Sequence, residues 1–179
     1  ALNTVYFQID ESNKAPRRTL EMISELLRYQ LYGGNQKVSI LQEIDYLKTY
    51  IALRKLRMSE RLRLRVEFPP ELNELNIYPL LFLPLVENAF KYVGGDYQLD
   101  IIMKWENNRI SLFIRNSIPE LSAEDEALRK SVDERQRKGI GLVNLRRRLS
   151  LLYPNKHRLE TRKEETEFVA ELMIEIEDI

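Results

Sequence analysis

The sequence predicts an α+β protein: a two-layer α/β sandwich, with helices on one face of a mixed sheet, preceded by an N-terminal helical hairpin. Three observations carry this expectation. Through the first 60 residues, apolar side chains recur at helical spacing. After Arg61 the period drops to two in "LRLRVEF". From there the elements follow in the order β-α-β-β-α-β-β, with a charged segment before the second helix, which suits helices packed on one side of a sheet. The boundary falls between residues 1–60 and 61–179.

Leu20, Ile23, Leu27 and Leu31 step by three and four, predicting an amphipathic helix over about 16–32. "YGGNQ" breaks it, and Ser39 with Gln42 three residues on forms a capping-box pattern for a second helix to about Arg57. Ile40, Ile44, Leu47 and Ile51 line that helix. Two helices joined in this way form a hairpin whose apolar seam calls for a partner, a following domain or a second chain. Beyond the strand closed by Pro69-Pro70 comes a proline-punctuated helix over 79–93. "YQLDIIMKWE" and "RISLFIRN" are strands turned at Asn107-Asn108. Residues 117–138 are rich in charge, "KGIGLVNLRRRL" opens a helix to about Tyr153, and "HRLETRK" and "EFVAELMIEI" close the chain as a hairpin.

Lys plus Arg equals Asp plus Glu at 28 each, so no global field draws nucleic acid or anionic lipid. The absence of cysteine excludes disulfides and thiolate metal sites and suits a reducing compartment. The apolar run "IYPLLFLPLVENAF" carries two prolines and a Glu-Asn pair, so it cannot span a bilayer. No signal peptide is visible, and the abrupt start points to a preceding segment.

On a wheel for the 79–93 helix, Leu81, Phe82, Leu85, Val86, Ala89, Phe90 and Val93 share one face. Pro84, Glu87, Asn88, Lys91 and Tyr92 gather opposite. One reading is an ordinary polar stripe with a Glu87–Lys91 ion pair. The other is a ligand edge: a carboxamide oxygen for a hard cation, an ammonium for phosphate and a ring for a base. Gly139 and Gly141 extend the second reading, because bare backbone at a helix start lets an anion approach the free N–H groups. Asn144, Arg146, Arg147 and Arg148 supply donors within two turns. The plainer alternative is a glycine turn before a helix with solvated arginines.

In combination and order, "PLVENAFKYV" resembles the asparagine box of the Bergerat-fold ATPases, which include gyrase, Hsp90 and histidine kinases. "KGIGLVNLRRRLSLLYP" is similar to the second glycine box of the LytS-type sensor histidine kinases. "LNTVYFQI", "LLRYQL" and "EIDYLKTYIALRKLR" resemble the helical hairpin that precedes the ATP domain in that branch, so the resemblance covers nearly the whole chain. It implies a Bergerat ATP-binding fold and a cofactor pair of ATP and Mg²⁺. Asn88 would hold the Mg²⁺, Lys91 and Tyr92 would flank the nucleotide, and Asn116 would take the place of the aspartate that accepts from the adenine amino group. Gly139, Gly141 and Leu142 would form the phosphate loop, backed by Asn144 and Arg148, with residues 117–138 as a lid and Thr166 near the adenine floor. It further implies a homodimer, a response regulator as partner, no nucleic acid, and a cytoplasmic catalytic core of a membrane-anchored sensor.

Three departures qualify the match. No Asp-x-Gly-x-Gly follows Asn116, where "SIPEL" stands instead. Pro84 occupies the place of a further asparagine one turn before Asn88, which leaves Glu87 to supply acid–base help. Asn3 matches the end of the family's His-Phe-x-x-Asn, so the phosphoacceptor would lie two residues before Ala1. His157 is the sole histidine and reads as a surface residue. The expectation is a chain that binds ATP without phosphorylating itself on histidine. The competing expectation is a degenerate, dimerising scaffold without nucleotide. A hydrolysing ATPase of the gyrase sort would need a carboxylate where Pro84 stands.

Overall fold

A computed structural model describes residues 2–32, 36–70, 72, 75–120 and 140–176. In chain order its elements are α1 (Leu2–Gln8), α2 (Lys14–Tyr32), β1 (Val38–Ser39), α3 (Ile40–Lys55), β2 (Arg63–Glu67), β3 (Asn76–Ile77), α4 (Leu83–Tyr92), β4 (Gln98–Glu106), β5 (Arg109–Ser117), α5 (Ile140–Leu152), β6 (His157–Lys163) and β7 (Glu167–Glu175). They form two compact units, Ala1–Ser59 with Asn76–Leu80, and Glu60–Leu75 with Leu81–Ile179. No helix among the described residues is long and apolar enough to cross a membrane.

In the first unit α3 starts where the capping box predicts. The Ser39 hydroxyl accepts from the Leu41 N–H at 3.3 Å, and the Gln42 carboxamide accepts from the Ser39 N–H at 3.2 Å. Ile40, Ile44, Leu47 and Ile51 are all buried, as their spacing requires. The α2 stripe behaves differently. Leu26 is the buried leucine, while Leu27 and Leu31 are 43% and 80% exposed. Tyr29 decides the rotation of α2, because its ring stacks on Tyr46 at 4.6 Å and its hydroxyl donates to Glu43 at 2.6 Å. That contact turns Leu27 and Leu31 away from α3. Helix α1, which periodicity did not reveal, is held by Arg17, whose guanidinium donates to the Ile9 carbonyl at 2.8 Å and lies 4.9 Å from the Tyr6 ring.

Glu43 is fully buried in this unit. Its carboxylate accepts from Tyr29 and, at 2.9 Å, from the backbone N–H of Leu80. Burial, then the adjacent Glu43 charge, pushes the Tyr29 phenol far above its usual range. β1 pairs antiparallel with β3, Val38 opposite Ile77, so the segment Asn76–Leu80 is fastened to the helices by a ladder and a carboxylate.

The second unit is a five-stranded mixed sheet in the order β2-β4-β5-β7-β6. β2 runs parallel to β4 and the other pairings are antiparallel. Register puts Leu99, Ile101 and Met103 beside Ile110, Leu112, Ile114 and Asn116, then beside Ala170, Leu172 and Ile174. This is one continuous face, and α4 and α5 cover it. Its residues are nearly all fully buried, the α+β sandwich expected from the period change. α4 is shorter than the 79–93 expectation because Leu80 sits at φ 57, a left-handed turn no helix continues through.

Asn107 and Asn108 both adopt positive φ, 51 and 58, which is the two-residue hairpin geometry that asparagine tolerates. Asn107→Val should therefore cost about 1–2 kcal/mol. Urea unfolding followed by Trp105, two residues upstream, reads it directly, and an unchanged midpoint would refute the assignment of strain.

Candidate functional site

The polar edge of α4 begins with Pro84 near the helix start, where its missing N–H costs nothing. Leu83, Leu85, Val86, Ala89 and Phe90 take the buried face. That leaves Glu87 and Lys91 exposed and Asn88 and Tyr92 half-buried on the other side. Lys91 Nζ lies 5.0 Å from the Tyr92 ring centroid, a cation–π distance. The ammonium and the ring therefore form one surface.

Asn116 lies under α4, on the helix-covered face of β5, and is fully buried. Its Nδ2 donates to the Ser117 carbonyl at 3.2 Å, while Oδ1 has no hydrogen-bond partner among the described residues. A buried, unpaired carboxamide oxygen costs about 1–3 kcal/mol, so its persistence asks for a donor that arrives from outside. On the opposite face of the same strand, Arg115 donates to Asp100 at 2.6 and 3.0 Å, and this bond raises the guanidinium pKa. β4 and β5 are thus pinned together beside Asn116.

Topology brings α5 to the same end of the sheet. Arg146 donates to the Leu159 carbonyl at 2.8 Å, and Tyr153 O pairs with His157 Nδ1 at 2.7 Å. α5 therefore runs antiparallel to β6, with its N-terminal turn toward the end where β6, β7 and β5 align Lys163, Phe168 and Asn116. Leu145 and Leu149 are buried, Leu142 and Arg148 half-buried, Asn144 exposed. Gly141 lies inside α5, not in a turn before it, and a Cβ added there would meet no described atom within 4 Å. Packing does not explain a glycine that costs a helix about 1 kcal/mol relative to alanine.

Thr166, in the turn before β7, has an exposed side chain, and its carbonyl accepts from the Ile118 N–H at 2.8 Å, two residues past Asn116. Gly139 and most of the 117–138 segment lie outside the described residues; Ser117 itself closes β5. His157 bonds within its own turn, at the other end of β6. Sequence reasoning passed over Gly94 and Gly95. Gly94 N–H donates to the Ser117 carbonyl at 3.0 Å and Ser117 Oγ donates to the Gly94 carbonyl at 2.6 Å. The adjacent glycine pair just after α4 was the available signal.

A family model described as Histidine kinase matches residues 1–62. The chain is 26% identical over 163 residues to the sensor protein kinase HptS of Staphylococcus aureus, covering 88% of this chain and 32% of that one. The chain is thus similar to a sensor kinase over most of its own length. It spans about a third of the length of the curated relatives it matches. Full-length ShkA, solved with AMPPNP, superposes with a TM-score of 0.54 at 14% identity over 88% of this chain and 35% of that one. The Acinetobacter baumannii histidine kinase AdeS gives 0.50 at 16% identity over 89% and 76%. The fold is therefore shared with solved histidine kinases that retain little of this sequence.

Proposed function

We propose that residues 61–179 bind Mg²⁺·ATP and that the intact protein, of the LytS type, phosphorylates a histidine and passes the phosphoryl group to a response-regulator aspartate. The observation that carries this is the buried, unpartnered Oδ1 of Asn116, which an adenine amino group would satisfy. Gly141, with no described atom within 4 Å of where its Cβ would stand in the N-terminal turn of α5, supports a phosphate approaching there. Lys91 and Tyr92 offer a cation and a ring on the facing edge. ShkA, of the same fold, holds AMPPNP.

Among the described residues, no three His, Cys, Asp or Glu side chains gather to hold a metal. A single carboxamide, Asn88, fits an ion that takes most of its oxygens from phosphates and water, as Mg²⁺ does. Bound there, Mg²⁺ would neutralise phosphate charge. Asn88 would orient the chain of phosphates, Glu87 would hold or move a proton, and Leu142, Asn144 and Arg148 would line the phosphate side with Gly141 and Gly139. Thr166 would stand by the base. The exposed Leu27 and Leu31 on α2 suit a twin chain in a homodimer. The part described here is assigned to the cytoplasm.

Calorimetric titration with a non-hydrolysable ATP analogue, with and without Mg²⁺, tests the site. Saturable binding strengthened by Mg²⁺ is expected. No binding in either condition would put the scaffold reading in its place.

A further inference from the structure

An aspartate can only accept, but an asparagine presents an accepting and a donating face, so base recognition by Asn116 depends on which face is offered. The fold makes that choice. Nδ2 is committed to the Ser117 carbonyl at 3.2 Å, leaving Oδ1 as the atom without a partner among the described residues. Turned over, the amide would set two oxygens at that distance. The Ser117 carbonyl is itself held, because Gly94 N–H donates to it at 3.0 Å. Ser117 Oγ donates to the Gly94 carbonyl at 2.6 Å and accepts from the Gln98 N–H at 2.9 Å.

This approach of two backbones needs glycine. A Cβ at Gly94 would lie 2.8 Å from Pro119 Cδ, closer than real contacts allow. Gly95 has φ +60, and a Cβ there would lie 3.0 Å from the Ile118 carbonyl oxygen. The chain has no glycine directly after Asn116, and here the bare backbone comes from the α4 side instead.

We infer that Gly94, Gly95 and Ser117 form a clasp that fixes Asn116 as a hydrogen-bond acceptor and thereby selects a nucleotide with an amino group at purine position six, adenine over guanine. Adenine donates from that position and guanine accepts, so guanine would face the locked oxygen with an oxygen of its own. The inference rests on the nucleotide reading above and adds its base specificity. Gly94, Gly95 and Ser117 are positioning residues that act through Asn116.

The test is calorimetric titration of the whole chain with non-hydrolysable ATP and GTP analogues in Mg²⁺. The wild type should prefer the ATP analogue by roughly 100-fold. Gly94→Ala should weaken it by about tenfold and cut the preference below about tenfold, because the amide is released to rotate. Adding Asn116→Asp to Gly94→Ala should restore the preference, since a carboxylate has no donating face. Ser117→Ala removes two of the clasp's bonds without a steric clash and should move the ratio the same way if Gly94→Ala fails to fold. Folded variants that keep the wild-type ratio would overturn the clasp, as would a ratio that stays collapsed in the double variant. Equal wild-type binding of both analogues would overturn it while leaving the nucleotide site standing. Binding of neither would overturn the nucleotide reading itself.

Discussion

Asn88→Ala abolishes the Mg²⁺-dependent part of ATP-analogue binding and weakens the total affinity by at least about tenfold, or 1.4 kcal/mol. The expectation follows from where α4 puts the residue. Its buried face is complete without Asn88: Leu85, Val86, Ala89 and Phe90 hold the helix to the sheet. Asn88 is half-buried on the other side, and alanine is the better helix former, so the substitution should leave stability unchanged or slightly raised. A loss of binding in this variant therefore cannot be put down to unfolding. Titrations with and without Mg²⁺ separate the outcomes. If the variant keeps the wild-type Mg²⁺ response, Asn88 does not carry the ion, and the polar edge of α4 returns to being a solvated stripe.

The largest loss of stability should come from Glu43→Ala, far in sequence from any residue proposed to touch nucleotide. Glu43 is fully buried and accepts from both the Tyr29 hydroxyl and the Leu80 N–H. Removing it strands two donors and leaves a cavity, at about 1–3 kcal/mol for each unsatisfied group, so about 3 kcal/mol or more in all. Both donors reach the same oxygen, Oε2, so Glu43→Gln, which keeps one accepting oxygen, should lose far less. Hydrogen exchange sharpens the test, because the Leu80 amide should lose protection in Glu43→Ala and keep most of it in Glu43→Gln. A Glu43→Ala urea midpoint equal to the wild type would refute the account.

Fold class was legible because periodicity reports burial and burial follows the element. "LRLRVEF" alternates, and β2 shows an alternating burial pattern. Ser39 and Gln42 announced the start of α3 to the residue, since a capping box is a local interaction that needs no tertiary partner. Asn107-Asn108 announced their turn for the same reason. The α2 stripe misled in part. A helical period shows that a helix has an apolar side but not which neighbour claims it, and the Tyr29–Glu43 bond turned Leu26 inward and Leu31 out. The beginning of α4 was overextended because the left-handed Leu80 is imposed by a carboxylate 37 residues earlier.

The sequence by itself determined the elements other than α1, β1 and β3, their order, and the two motif stretches that hold Asn88, Lys91 and Gly141, because each is written in local spacing and side-chain chemistry. Only the tertiary structure decided which amide face Asn116 offers, why Gly94 and Gly95 are glycines, and which carboxylate is buried. Those properties depend on atoms brought within about 3 Å across the chain, as Ser117 is to Gly94, 23 residues apart. Spacing along a sequence carries no record of such distances.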